Sequence, residues 1–105
     1  MKSIKIKAQT LKLAYSLRNF FIFEGITGNS FKFGKLMDEY ILFYATLLAH
    51  NEDFTMSYEE FISACDADPK LFETFKDLML EEIKKQSQLA ETDDVKKKKK
   101  AKKSN

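Results

Sequence analysis

Phenylalanine is concentrated in one short part of this chain. Residues 18–33 hold five of the ten phenylalanines in a sequence of 105 residues, and three of the five fall within four positions, at Phe20, Phe21 and Phe23. Neighbouring positions on a helix point about 100° apart, so these three rings face three directions. A helix in a small domain is covered on only part of its circumference. Either the segment lies at the centre of the core, or part of it is a surface that another protein covers.

Length and composition predict a single small helical domain. A chain of 105 residues makes one domain, and a domain near this size buries about two-thirds of its unfolded surface. Three glycines and one proline favour helices over a turn-rich all-β fold. The one cysteine, Cys65, excludes an internal disulfide and fits a reducing compartment. Because no apolar run has the length of a signal peptide or a membrane span, we expect a soluble, unexported protein.

Charge is strongly segregated along the chain. Residues 1–35 carry seven Lys and Arg against one acid, Glu24, whereas residues 36–69 carry eight acids and no Lys or Arg. Residues 96–103 then hold seven Lys, and without them the chain is acidic, with a net charge of −5. The pI of about 8.6 therefore reflects the C-terminal lysines, and it does not argue that the folded domain binds nucleic acid.

The N terminus has the alternation of a small β-hairpin or of two adjacent edge strands. Residues 4–8 and 10–15 each alternate apolar and polar side chains, which is the period of half-buried strands. We place the connection at Ala8-Gln9, although the Asn-Gly or Asp-Gly pair of a tight hairpin is absent.

Four helices are predicted after the hairpin. They span about residues 17–25, 35–50, 57–66 and 69–88, with start signals at Ser16, at the capping box of Ser57 and Glu60, and at Asp68-Pro69. The second has two adjacent apolar stripes and should be central. The fold class is thus mostly α with an N-terminal β-hairpin, as one domain over residues 1–90. Residues 91–105, rich in lysine, are predicted to be disordered.

Residues that carry enzyme or metal chemistry are too few to form a recognisable site. A zinc site built from Cys and His needs more such residues than this chain has, since it contains one histidine, His50, and one cysteine. The Asp66-x-Asp68 pair lacks the glycine and glutamate of a calcium loop and is better explained as helix capping. No nucleophile motif or phosphate-binding glycine loop is present. We therefore predict a protein that is not an enzyme and has no cofactor.

The lysine-rich C terminus allows three interpretations. Residues 96–103 can act as a solubilising disordered tail, or they can bind nucleic acid or an anionic membrane through counterion release. The first is favoured, since no aromatic residue is present for base stacking. The third concerns the gene, because consecutive lysine codons are rich in adenine and a ribosome can slip on such a run. A small nucleic-acid-binding or regulatory protein is the alternative function.

The order of elements resembles a known protein family. Three stretches carry the likeness: residues 17–28 (LRNFFIFEGITG), residues 40–49 (YILFYATLLA), and residues 51–53 with 57–62 (NED and SYEEFI). Over residues 4–80 this pattern resembles the small tail assembly chaperones of long-tailed bacteriophages and prophages. The resemblance implies a non-enzymatic protein of the host bacterial cytoplasm that binds the tape measure protein, keeps it soluble and is absent from the mature virion. It also implies self-association and a longer form of the protein made by frameshifting near Lys96–Lys100.

Aromatic and apolar side chains of the first two helices are the candidate partner-binding residues. Phe20 and Phe21 share a helix face with Leu17, which predicts a core position, whereas Phe23, Phe31 and Phe33 are expected to reach a client or a second protomer. The full set of candidates is Phe20, Phe21, Phe23, Phe31, Phe33, Met37, Phe43 and Tyr44. Apolar groups that coat a client helix supply affinity without chemistry, at about 25 cal/mol per Å² buried.

Overall fold

A two-stranded antiparallel hairpin followed by four helices makes up the fold, which confirms the predicted fold class. The computed structural model describes residues 2–90, and the side chains of residues 2–85. The predicted disorder of residues 91–105 lies outside the described residues. The elements are β1 (Lys2–Ile6), β2 (Gln9–Leu13), α1 (Leu17–Thr27), α2 (Leu36–His50), α3 (Tyr58–Ala67) and α4 (Lys70–Ala90). Within residues 2–90, no helix combines the length and the apolar character that a membrane crossing needs.

The hairpin turns at Lys7 and Ala8, earlier than predicted. Both residues have positive φ, 49° and 68°, as in the type I′ turn that suits the twist of a two-residue hairpin. Ile4 pairs with Leu11, and both face the core. The predicted connection at Ala8-Gln9 was wrong because alternation gives the period of a strand but not its turn. A turn without Asn or Gly leaves no signal in the sequence.

The asparagine that follows α2 attaches that helix to the hairpin. The Asn51 side-chain Oδ1 accepts from the Lys12 backbone N–H at 2.8 Å, and its Nδ2 donates to the Lys12 carbonyl at 2.9 Å. Nδ2 also donates to the Leu47 carbonyl in the last turn of α2. This amide pairs with the edge of β2 as a third strand would, and satisfies backbone groups that would otherwise need water.

Local signals explain several of the helix ends, but Ser16, predicted to cap α1, makes no side-chain cap hydrogen bond. Gly28 lies in the left-handed region with φ of 75°, and its N–H donates to the Glu24 carbonyl, which ends α1. The α1 helix continues past Gly25, two residues beyond the predicted end. The predicted capping box of α3 is confirmed, since the Glu60 N–H donates to Ser57 Oγ and the Ser57 N–H donates to the Glu60 carboxylate. The Lys70 N–H donates to Asp68 Oδ1 at the start of α4.

The α2 helix lies at the centre of the core, as its two apolar stripes predicted. Phe43 has no exposed surface. It stacks on Phe75 of α4 with 4.7 Å between ring centroids and meets Phe61 of α3 edge to face at 4.9 Å. Aromatic pairs of these geometries contribute about 0.5–1.5 kcal/mol beyond the area they bury. Leu42 and Leu47 of the same helix are also fully buried.

Candidate partner-binding surfaces

The clustered phenylalanines form a connected row of rings. Phe31, in the loop after α1, meets three others edge to face or tilted: Phe20 at 5.9 Å, Phe23 at 5.4 Å and Phe33 at 4.8 Å between centroids. Exposure changes along the row, from Phe23 at 0% to Phe33 at 51%. The row therefore leads from the core to solvent: Phe23 belongs to the core, and Phe33 lies at the surface.

Two of the burial predictions in α1 were wrong. Phe23, expected at the surface, is fully buried, and Phe21, expected in the core, is 66% exposed. The reason is the rotation of α1, which turns the face of Asn19 and Phe23 inward, since residues four apart share a face. Phe21 then shares the outward face with Leu17, which is 70% exposed. A buried asparagine on the inward face was not foreseen.

The other candidates divide between surface and interior. Met37 is 70% exposed, and Phe33 lies at the surface as predicted. Phe20 and Phe31 are partly buried against the core, as is Tyr44, whose hydroxyl donates to the Met56 carbonyl at 2.6 Å. Phe43 has no exposed surface, so in this fold it is a core residue that a partner does not reach. Whether any of the eight candidates contacts a partner stays a prediction.

An apolar groove lies between α2 and α3, with a volume of 410 Å³. We call it the α2–α3 groove; it is lined by Leu36, Met37, Tyr40, Tyr58, Ile62, Cys65 and Asp66. Leu36 and Met37 are 64% and 70% exposed at its edge. Of these residues only Met37 was among the predicted candidates. The apolar stripes of α2 and α3 were both visible in the sequence, but their meeting at one groove depends on how the two helices cross.

The floor of the groove is held in place from below. The Tyr40 ring stacks on Phe72 of α4 at 4.2 Å with 10° between the ring planes, and Tyr58 meets Tyr44 edge to face at 5.4 Å. Burial raises the pKa of both groove tyrosines above 10.0, so their hydroxyls remain protonated at neutral pH. The two tyrosines therefore present aromatic faces and uncharged hydroxyl groups to the groove.

One carboxylate fixes the loop that leads into the groove. Glu39, nearly buried, accepts from the Gly34 backbone N–H at 3.1 Å and pairs with Lys76 of α4 at 3.6 Å. The Lys76 ammonium also lies over the Phe72 ring, 5.6 Å from its centroid. Because these contacts join the loop, α2 and α4, they hold Leu36 and Met37 at the edge of the groove.

A second apolar surface lies along the outside of α1. Leu17 and Phe21, one turn apart, border a shallow depression of 480 Å³ together with Ala49 of α2, and Ser16, Arg18 and His50 complete its lining. We call this the α1 surface. It contains Phe21 from the predicted set, and its aromatic and apolar side chains are well suited to contact another protein.

A buried polar network joins α1 to the end of α2. Asn19, with no exposed surface, donates from Nδ2 to the Ala14 carbonyl at 2.8 Å, which leaves Oδ1 facing His50 Nε2 at 3.0 Å. Since Oδ1 only accepts, His50 Nε2 must carry a proton. Ser16 Oγ lies 3.2 Å from the same nitrogen and donates to Asn19 Oδ1. The serine and histidine therefore do not form a nucleophile and base, which would need an unprotonated Nε2.

The pKa of His50 is lowered from 6.5, first by burial and then by the charge of Arg18. An unfolded chain has a histidine of ordinary pKa, so below pH 6.5 the unfolded state binds more protons than the folded state. The free energy of unfolding therefore decreases as the pH falls from about 6.5 through the lowered folded value. Above that window this histidine makes no pH-dependent contribution.

The surroundings of Cys65 do not activate its thiol. Burial, then the charges of Asp66 and Asp68, raise the pKa of the Cys65 thiol to about 11, which makes it a poor nucleophile at neutral pH. Between residues 2 and 90, no three His, Cys, Asp or Glu side chains are close enough together to hold a metal ion.

Comparison with models of protein families, with curated proteins and with solved structures found no match to this chain. Its function is therefore inferred below from the two apolar surfaces and from the resemblance in sequence pattern.

Proposed function

We propose that this protein is a non-enzymatic tail assembly chaperone, which binds apolar helical segments of a phage tape measure protein and keeps them soluble in the host cytoplasm until the tail is built. In this proposal the protein is absent from the mature virion. The resemblance over residues 4–80 supports the choice of family. The exposed apolar side chains support a protein that works by contact.

The observation that carries the proposal is the exposure of Leu36 and Met37 beside an aromatic floor. Full burial of a Leu or Met side chain gives about 1.5–3 kcal/mol. Since roughly two-thirds of each is exposed, a partner that covers both gains about 2–4 kcal/mol from these two residues before the costs of association. A single exposed leucine is ordinary on a protein surface, but an exposed Leu and Met side by side next to a concave aromatic surface are typical of a binding site.

The shape of the groove suits a helix as the occupant. The α3 wall has ten residues, which corresponds to a length of about 15 Å, or nearly three helical turns. An amphipathic client helix laid along it can place apolar side chains from positions i, i+3 or i+4, and i+7 into the groove. The α1 surface provides a second, separate contact for a client that is long and repetitive.

Co-expression with the tape measure protein tests the proposal. The client should appear in the soluble fraction with this protein and in the insoluble fraction without it. The double variant Leu36→Gln with Met37→Gln should lose most of this effect, whereas Leu80→Gln, which removes a 55% exposed leucine from α4, should retain it. A client that is equally soluble alone would refute the proposal. Equal loss in both variants would refute the role of the groove.

Two further partners belong to the same proposal: a second copy of the chain and a frameshift-extended form of it. Size-exclusion chromatography with light scattering tests self-association. The nucleotide sequence tests the extended form, which requires an adenine-rich slippery heptamer in the codons of Lys96–Lys100 and an overlapping downstream frame. Mixed codons with no overlapping frame would exclude it.

Binding of nucleic acid through the C-terminal lysines is the second candidate, favoured by the seven Lys in residues 96–103. Such binding weakens steeply with salt, because each phosphate contact releases counterions. Deletion of residues 95–105 should then abolish association with DNA or RNA at physiological ionic strength. If the full-length chain shows no such association, this candidate fails.

A further inference from the structure

The walls of the α2–α3 groove lie in a part of the chain that has no Lys or Arg. Residues 36–69 contain eight acids and no Lys or Arg, and both α2 and α3 fall within them. Asp66 lines the groove. Glu59 precedes Ile62, which also lines the groove, by three residues and precedes Asp66 by seven, so all three lie along one face of α3. The α3 edge of the apolar groove is therefore acidic.

The two edge carboxylates, those of Glu59 and Asp66, are available to a partner. Both residues are exposed. Their neighbour Glu60 is engaged elsewhere, with Lys7 at 3.6 Å and with the backbone and hydroxyl of Ser57. The ion pairs of residues 2–85 involve Glu39, Glu60, Glu81 and Glu82, and neither of the edge carboxylates.

The charge of Asp66 raises the pKa of two other groups that line the groove, Cys65 and Tyr40. Burial is the main reason that the Cys65 pKa rises to about 11, and the Asp66 charge is the next. At Tyr40, burial, then Cys65 and then Asp66 raise the pKa. A negative potential that opposes ionisation of these two groups also favours a cation brought to the same place.

We propose that the α2–α3 groove selects client helices whose apolar stripe is flanked by lysine or arginine, through the Glu59 and Asp66 carboxylates on its α3 edge. This inference rests on the proposed function and specifies the chemistry of its client. When a client helix lays its apolar face in the groove, the residues that flank this face lie next to the acidic α3 edge. A Lys or Arg there can extend its apolar stem along the groove and bring its charged end to a carboxylate. Acidic residues in the same positions are repelled.

Two synthetic helical peptides with the same apolar positions test this directly. Each carries Leu at the groove-facing positions and one Trp, and they differ only in having Lys or Glu beside the apolar stripe. Because this chain has no Trp, tryptophan fluorescence reports peptide binding to the full-length protein. The Lys-flanked peptide should bind about tenfold more tightly at low salt, and the difference should shrink as salt is added.

The double variant Glu59→Gln with Asp66→Asn should weaken binding of the Lys-flanked peptide about three- to tenfold and leave that of the Glu-flanked peptide unchanged or stronger. The matched control is Glu52→Gln with Asp53→Asn, which changes net charge equally in the loop after α2 and should leave both affinities unchanged. Equal affinity of the two peptides for the unmodified protein would overturn the inference, as would equal loss in both double variants, and either result leaves the proposed function standing. If neither peptide binds and co-expression does not solubilise the client, the proposed function fails and the inference fails with it.

Discussion

Substitutions at Phe21 and Phe23 can test the candidate surface and the core within a single helix, α1. The two phenylalanines lie two residues apart, yet the first is 66% exposed and the second has no exposed surface. Replacing each in turn with alanine removes the same atoms from the same helix. Because alanine is also the better helix former, any loss of stability must come from tertiary contacts.

The two substitutions should differ by several kcal/mol. Truncation of a fully buried phenylalanine to alanine typically costs 3–5 kcal/mol, and Phe23 also loses its edge-to-face contact with Phe31 at 5.4 Å. A folded unit of about 90 residues has a free energy of unfolding of about 5–13 kcal/mol. Phe23→Ala therefore removes between a quarter and nearly all of the stability. Phe21→Ala should change it by less than about 0.5 kcal/mol.

Urea denaturation followed by circular dichroism at 222 nm measures both effects. With a slope of about 2 kcal/mol per molar urea, Phe23→Ala should lower the midpoint by about 2 M, while Phe21→Ala should leave it unchanged. The same proteins are then tested for client solubilisation. If the client binds the α1 surface, Phe21→Ala should fold normally but solubilise less client than the unmodified protein does. Equal midpoints for the two variants would refute the rotation assigned to α1.

Three more predictions concern stability. The free energy of unfolding should decrease as the pH falls below about 6.5, because the pKa of His50 is lowered in the folded state; His50→Gln should flatten this dependence in urea titrations, and an unchanged slope would contradict it. Lys7→Asn with Ala8→Gly should raise stability by about 1–2 kcal/mol, since both sites have positive φ; a lower urea midpoint would contradict it. Ser57→Ala should cost about 1 kcal/mol through the lost capping box, while Ser63→Ala in the same helix should be nearly neutral, and equal losses would rule out capping.

Features whose information is local could be predicted from the sequence. The capping box of Ser57 and Glu60 satisfies backbone donors within one turn, so it is visible in four residues and was placed correctly. The double apolar stripe of α2 likewise predicted a central helix. The hairpin lacks such a local signal: its pairing was expected, but its turn at Lys7-Ala8 has none of the residues that favour positive φ. There the pairing of Ile4 and Ile6 with β2 and the core determines the register, and that information is tertiary.

The candidate site was less predictable, because it depends on how helices face one another. Met37 could be proposed from its place in an apolar stripe. Tyr58 and Ile62 could not, because their stripe on α3 looks the same whether it is covered or forms the wall of a groove. The acidic edge of that groove was present in the sequence as an excess of acids over residues 36–69. The excess becomes an acidic edge only because α3 is placed so that Glu59 and Asp66 lie along the groove.

The α1 helix shows how one buried polar residue can reverse an assignment of faces. Hydropathy places asparagine outside, and with Asn19 outside, its neighbours on the opposite side, including Phe21, fall inside. In the structure the Asn19 side chain is hydrogen-bonded to Ala14, Ser16 and His50. An amide so paired is stable in the core, because its hydrogen bonds replace those it made with water. Once Asn19 is inside, Phe23 must follow it one turn later, and Phe21 must face outward. The exposure of Phe21 and Leu17 is thus a consequence of the network. Asn19→Leu keeps the branched shape of the side chain but is bulkier and removes the hydrogen bonds, so it should destabilise the docking of α1 on α2 before it disturbs the core around Phe43.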